Sequence, residues 1–170
     1  MSNPFPNRKL NRYSNFDYST PGYYFITICV QNFECVFGEI IDGKMVLNEC
    51  GTVVETCWNR IPNHFPHISL DDYIIMPNHV HGILVIDDAT VGNIQTPCQT
   101  RWGKTLSSAI RGFKIGVTKS IHKNHDPLFA WQKSYYDHIV RNEQSLRNIR
   151  QYIRNNPNNW QRDRNNKNIT

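Results

Sequence analysis

Residues 73–86 constrain the fold more than any other part of the sequence. They are mostly apolar or β-branched on both sides of Pro77 and Asn78, a pair that interrupts a regular strand. We therefore expect two neighbouring strands that meet at this break. Because side chains in a strand alternate between faces, His79 and His81 would point to the same side of the sheet. Two imidazoles on one face suit a metal ion, although two strand histidines can equally be half-exposed polar residues.

The remaining sequence alternates between strand-like and helix-like patterns. Asp42-Gly43 supplies the positive φ angles of a tight hairpin turn, Asn48 and Asn142 are helix N-cap residues, and Pro62 and Pro157 stop helices. This order predicts an α+β fold with helices on an antiparallel sheet of the ferredoxin-like kind. We expect strands at 22–31, 33–41, 44–47, 68–76, 79–86 and 129–140, and helices at 48–61, 104–123 and 142–156.

The 170 residues fit one domain, preceded by a basic arm at 1–21 and followed by a polar tail at 161–170, with the domain itself at 22–160. The net charge of +5 favours a polyanionic partner. The five cysteines form no C-x-x-C pair, and no segment resembles a signal peptide or a membrane span. We expect a cytoplasmic protein without a membrane partner.

The final predicted helix carries a second candidate group. Leu146, Ile149 and Ile153 form its apolar stripe, while Tyr152 and Asn156 lie one turn apart on another side. A phenol and an amide oxygen would therefore project together. The same spacing also suits an aromatic residue at the edge of the core followed by a C-terminal cap.

Three segments together resemble a known family. They are Met-Pro-Asn-His-Val-His-Gly at 76–82, Trp-Gln-Lys-Ser-Tyr-Tyr-Asp-His-Ile-Val-Arg-Asn at 131–142, and Tyr-Ile-Arg-Asn-Asn-Pro at 152–157. In this order they resemble the IS200-like single-tyrosine HUH transposases, particularly the REP-associated tyrosine transposase group. The resemblance extends from about residue 22 to residue 160.

The resemblance implies a site and a reaction. His79 and His81 would hold Mg²⁺ or Mn²⁺, Asn156 would be the third ligand, and Tyr152 would attack a DNA phosphodiester to form a 5′-phosphotyrosine link. The implied activity is nicking and strand transfer on single-stranded or hairpin DNA, by a monomer or a homodimer. A bound cation can polarise the phosphate and assist a phenol whose pKa of about 10 makes it a poor nucleophile at neutral pH.

Other residues have weaker indications. His138 could support the site or be structural, and Tyr135 and Tyr136 rank below Tyr152 because they lie in a predicted strand without an amide partner. Two further functions remain open: a domesticated module that binds folded nucleic acid without cutting it, and a metallohydrolase of small phosphoesters, although the histidine pair alone supplies few ligands for two metals. The predicted phosphate contacts, which could also be ordinary solvated charges, are Arg8, Lys9, Arg12, Lys104, Arg111 and Lys114.

Overall fold

A computed structural model describes residues 19–87 and 105–166. Within them, the strands are β1 (Gly22–Cys29), β2 (Gly38–Ile41), β3 (Lys44–Leu47), β4 (Ile68–Met76), β5 (His79–Ile86) and β6 (Tyr136–Val140). The α-helices are α1 (Glu49–Asn59), α2 (Ile61–His64), α3 (Leu106–Asn124) and α4 (Glu143–Asn155), and short 3₁₀ helices cover Gln31–Phe33 and Pro157–Arg162.

Four strands form one antiparallel sheet in the order β4-β5-β1-β6. With α1 before β4 and α3 before β6, this order is the ferredoxin-like arrangement, so the expected fold class is confirmed. The predicted hairpin is a separate two-stranded sheet of β2 and β3, and its turn has positive φ at Asp42 and Gly43.

The two faces of the large sheet are covered by different helices. On one face the main core includes Val54 and Trp58 of α1, Ile110 and Phe113 of α3, and alternate residues of β1 and β5. The opposite face carries a smaller cluster in which Phe25 and Ile83 pack against Leu146 and Ile153 of α4. His79 and His81 alternate with the main-core residues Val80 and Leu84, so they face the α4 side.

Two local expectations differ from the structure. Residues 129–140 do not form one strand: Trp131 makes an isolated bridge to Val30, and β6 begins only at Tyr136. The aromatic density there reflects rings that pack with Phe37 in the core rather than a continuous strand. Pro62 lies in the first turn of the short helix α2, where a missing N–H group costs no hydrogen bond, instead of ending the preceding helix.

His67, in the loop before β4, is buried beside Phe65. The predicted contacts Arg8, Lys9, Arg12 and Lys104 lie outside the described residues. No helix within residues 19–87 and 105–166 is both long and apolar enough to cross a membrane.

Candidate metal and nucleophile site

The centre of the site is formed by two fully buried histidines on β5. In the pairing of β1 with β5, His79 lies beside Cys29 and His81 lies beside Thr27. The two paired strands therefore fix the backbone positions of both histidines. The ring of His81 stacks on Phe25, with centroids 5.5 Å apart. Burial keeps both rings neutral: it lowers the pKa of His79 to about 4, against an opposing effect of Asp163, and it lowers the pKa of His81 well below its ordinary value.

Hydrogen bonds determine which nitrogen of each ring faces the site. The Nδ2 group of Asn78 donates to the carbonyls of Phe33 and Asn165, so its Oδ1 atom is the acceptor that lies 2.7 Å from His79 Nδ1. Neutral His79 therefore carries its proton on Nδ1 and presents an unprotonated Nε2. Thr27 Oγ1 lies 2.8 Å from His81 Nδ1, and because a hydroxyl both donates and accepts, this contact serves either neutral tautomer of His81.

The two Nε2 atoms converge to 3.0 Å from each other. A proton on His81 Nε2 makes this contact a hydrogen bond to His79 Nε2, and when both nitrogens are unprotonated, as in metal ligands, a cation between them removes the repulsion of their lone pairs. A single ion can bond both, because nitrogen–metal bonds are about 2.1 Å long. The geometry is therefore that of two ligands held ready by partners on their far nitrogens.

Tyr152 of α4 reaches the same point. Its hydroxyl group lies 3.2 Å from His81 Nε2 in the same chain, and its ring contacts both His81 and Phe25 edge-on. Burial raises the pKa of this phenol, the charge of Asp163 raises it further, and a hydrogen bond with Asn156 acts in the opposite direction. Without a nearby cation the phenol is thus a weaker nucleophile than a free tyrosine.

Asn156 follows one turn after Tyr152, at the C-cap of α4, and is buried. Its Oδ1 atom is buried and finds no hydrogen-bond donor among the described residues. A buried carbonyl oxygen without a hydrogen-bond donor is costly. A cation bound to Asn156 Oδ1 would remove this cost.

A carboxylate that the sequence did not indicate completes the cluster. Asp163 Oδ2 lies 4.0 Å from His79 Nε2, and ligand atoms of His79, His81 and Asp163 all fall within 4.8 Å of one another. The carboxylate is oriented by the backbone N–H of Asn165, which donates to Oδ1 at 2.7 Å. Asp163 belongs to the segment expected to be a polar tail, and it directly follows the 3₁₀ helix Pro157–Arg162.

The acceptors gathered at this point fit a divalent cation. They are two neutral imidazoles, a carboxylate and an amide oxygen without a hydrogen-bond donor, a mixture of nitrogen and oxygen ligands that can hold a divalent metal ion. Arg164 brings a positive charge near these acceptors, and this charge lowers the pKa of both histidines.

Two ion pairs fix α4 over the sheet. Arg150 donates two hydrogen bonds to the Asp71 carboxylate, one from Nε at 2.9 Å and one from Nη2. Arg154 Nε lies 2.7 Å from Asp72 Oδ2. The register shift of β4 between Leu70 and Tyr73 leaves these two adjacent carboxylates outside the regular pairing. The pairs add to the apolar packing of Leu146 and Ile153 that holds the helix carrying Tyr152 on the sheet.

The other predicted residues lie away from this cluster. Arg111 and Lys114 belong to α3, on the opposite side of the sheet, and Lys114 Nζ donates to the carbonyl of Gln132 at 2.6 Å. Desolvation by burial lowers the pKa of Lys114. His138 is exposed on β6, two residues from Tyr136 and hence on the same face of the strand. Phosphate contact by Arg111 and Lys114 and a supporting role for His138 stay predictions.

The fold is similar to that of a REP-associated tyrosine transposase. A solved structure of such a transposase bound to a REP hairpin superposes with a TM-score of 0.60 over 88% of this chain and 73% of that one, at 18% sequence identity. The expected likeness to these transposases is confirmed for the fold, and at this identity it concerns the fold alone. No protein-family profile matches the sequence.

A protein of Haemophilus influenzae described as uncharacterized is 42% identical over 164 residues, which are 92% of this chain and 91% of that protein. The chain belongs to the same family as this protein.

Proposed function

We propose that the protein is a metal-dependent DNA nickase and strand transferase that acts on single-stranded or hairpin DNA in the cytoplasm. The observation that carries the proposal is the 3.2 Å contact between the Tyr152 hydroxyl and His81 Nε2 in one chain. A nucleophile and a pair of metal ligands separated by 71 residues in sequence meet at one point, beside a buried carboxylate. The transposase fold and the net charge of +5 support DNA as the substrate.

In the proposed reaction the Tyr152 oxygen attacks the phosphorus of a DNA phosphodiester. A bond forms between this oxygen and phosphorus, and the bond from phosphorus to the 3′-oxygen breaks. The phenol proton is lost to solvent, and the departing 3′-oxygen takes up a proton to become a 3′-hydroxyl. The 5′-phosphotyrosine link retains the energy of the phosphodiester, so a 3′-hydroxyl of the same or another strand can reverse the step.

His79 and His81 would hold the cation, together with Asn156 and Asp163 as oxygen ligands. When bound, Mg²⁺ or Mn²⁺ polarises the phosphate and offsets the negative charge that develops on its oxygens. The chain itself orients the reacting groups: Thr27 and Asn78 fix the two imidazoles, and Phe25 packs against the edge of the Tyr152 ring. This preorganisation is the protein's contribution to the rate.

The decisive experiment uses labelled single-stranded oligonucleotides that tile both strands of the DNA flanking the gene, including its palindromes. The full chain with Mn²⁺ should give a protease-sensitive species of reduced mobility on a denaturing gel. The Tyr152→Phe protein should lose this adduct, because it has no attacking oxygen, and should bind DNA almost as well as the wild type. Mass spectrometry should place the adduct on Tyr152 rather than on Tyr135 or Tyr136.

Tyr73→Phe is the matched control, since Tyr73 contacts Asn59 on the far side of the sheet and should leave the adduct unchanged. Combined replacement of His79 and His81 by alanine should remove Mn²⁺-dependent cleavage. An adduct that persists in Tyr152→Phe, or cleavage that survives the double replacement, would refute the mechanism. DNA binding with no covalent species under any condition would favour the non-cleaving binding module.

A further inference from the structure

A cavity of about 300 Å³ opens directly beside the histidine pair. We call it the site-side cavity. Its size is at the lower end for small-molecule pockets, which suits a single nucleotide and excludes a duplex. Thr27 connects the two sites, because it lines the cavity and also holds His81 Nδ1. The residues that line the cavity are Thr27, Cys29, Phe33, Gln132, Ser134, Tyr135, Tyr136, Arg164 and Asn165.

Asn78 ties two walls of the cavity to the metal ligand. Its Nδ2 group donates to the carbonyls of Phe33 and Asn165, both at 2.8 Å, while its Oδ1 atom accepts from His79. Phe33 is held in an unusual conformation, since both it and Asn32 have positive φ, of 59° and 56°. Such backbone conformations persist only where the surroundings enforce them, and they are common beside ligand sites.

One polar group in the wall lacks a partner. Asn165 is more than nine-tenths buried, and its Nδ2 group finds no acceptor among the described residues. A buried amide donor without an acceptor indicates a ligand that offers a carbonyl oxygen or a ring nitrogen.

Charge and aromatic surface complete the chemistry of the cavity. Arg164 is exposed, and its positive charge lowers the pKa values of His79, His81 and Tyr152, so the guanidinium acts on both the cavity and the site. Tyr136 is 39% exposed at the opposite wall. Aromatic rings beside a cationic side chain are the usual means of holding an unstacked base and its phosphate.

We propose that the site-side cavity holds the nucleobase of the nucleotide adjoining the phosphate that Tyr152 attacks. The base packs against Tyr136 and Phe33, Asn165 Nδ2 donates to an acceptor on its edge, and Arg164 contacts the phosphate. The identification of that phosphate rests on the proposed function. The cavity thereby fixes the scissile position on the strand, because the phosphate reaches Tyr152 only when the neighbouring base is unstacked and seated.

The test compares nucleotides with a ligand that lacks only the base. The eight deoxynucleoside 5′- and 3′-monophosphates and 2-deoxyribose 5-phosphate are titrated into the full chain with Mg²⁺ and followed by calorimetry. At least one nucleotide should bind about tenfold more tightly than the sugar phosphate, in line with the effect of one base stacked on an aromatic side chain. Ser134→Trp should abolish this difference by filling the cavity, and Asn165→Ala should reduce it severalfold, while the affinity for the sugar phosphate stays unchanged.

Ser134→Ala is the matched control and should retain the preference. Because Ser134 is exposed, the wild-type, Ser134→Trp and Ser134→Ala proteins should all fold, which circular dichroism checks. Equal affinity for nucleotides and sugar phosphate, or a preference that survives Ser134→Trp, would overturn the proposal. Tyr152→Phe should keep the preference, because it spares the cavity. A nucleotide preference without any DNA adduct would therefore support base binding in the site-side cavity and reject the cleavage reaction. An adduct without the preference would support the reaction and reject base binding in the cavity.

Discussion

Asn78 determines the proton position on His79. Because its amide nitrogen is used by two carbonyls, its oxygen can only accept, and the ring proton must lie on Nδ1. The neighbouring Pro77 adds to this arrangement through its carbonyl, which accepts the backbone N–H groups of Val36 and Phe37. The two residues that break the strand thus orient the metal ligand that follows them.

Asp163 should contribute to metal affinity. Asp163→Asn preserves the shape of the side chain and the hydrogen bond from the Asn165 N–H group, but it removes the negative charge beside His79. We expect Mn²⁺ affinity, measured by calorimetry, to fall about tenfold or more.

Asp126→Asn is the matched control for this change. Asp126 also accepts from the backbone N–H group two residues later, at Leu128, but it is not a member of the metal-ligand cluster. Its replacement should leave Mn²⁺ affinity as it is. Equal affinities for the Asp163→Asn and wild-type proteins would exclude Asp163 as a ligand.

At the scale of elements, the position of α4 depends on its ion pairs with β4. The bidentate bond from Arg150 holds the pKa of Asp71 below its ordinary value of 3.8. Because the pKa is lower in the folded protein, this pair stabilises the fold above about pH 4, and the contribution is lost as the pH falls through the folded-state pKa.

Asp71→Asn should therefore lower the free energy of unfolding by about 1 kcal/mol at pH 7, a modest figure because the guanidinium is partly exposed to solvent. The difference from the wild type should shrink as the pH falls through the folded-state pKa of Asp71, below which its carboxyl is protonated in both states. Urea unfolding over a series of pH values from 7 downwards measures it, and Glu39→Gln on the exposed face of β2 is the control. A difference that is independent of pH would contradict the assigned role of the ion pair.

Gly82 shows why a glycine follows the histidine pair. A Cβ atom at this position would lie 2.3 Å from Cζ2 of Trp58, whose ring fills the space over β5. Gly82→Ala should destabilise the protein by about 1–3 kcal/mol through overpacking of the core.

Gly116→Ala is the matched control in α3. There a Cβ atom would meet only Cys57 Sγ at 3.8 Å, and alanine favours a helix, so stability should be unchanged or higher by about 0.5–1 kcal/mol. Urea denaturation of both variants gives the comparison. A Gly82→Ala protein as stable as the wild type would show that Trp58 shifts without cost.

Local chemistry made much of this fold predictable. Asn48 and Asn142 cap their helices as expected, because an N-cap side chain bonds to backbone within three residues. Strand alternation likewise predicted the shared face of His79 and His81. Asp163 could not be found this way, since its place depends on the path of the chain after α4, and the position of Tyr152 over His81 depends on ion pairs between distant segments.

At the scale of the whole molecule, the proposed nucleophile and the proposed metal ligands meet within one chain, where the Tyr152 hydroxyl lies 3.2 Å from His81 Nε2. Mixing the Tyr152→Phe protein with a protein that lacks His79 and His81 should therefore restore no DNA adduct, because neither chain holds both the phenol and the imidazoles. The wild type mixed with either variant should form adduct in proportion to its own concentration. Restored activity in the mixture of the two variants, read on the denaturing gel, would show that α4 serves a partner's histidines.

The order of these parts along the chain has a consequence for protein synthesis. The ribosome produces β1, β5 and the histidine pair well before α4 and Asp163, and the main core requires neither of the latter. The residues of the main core are therefore synthesised before the last parts of the site. Under the proposed mechanism, a chain would gain the means of cutting DNA only once Tyr152 and Asp163 had been added.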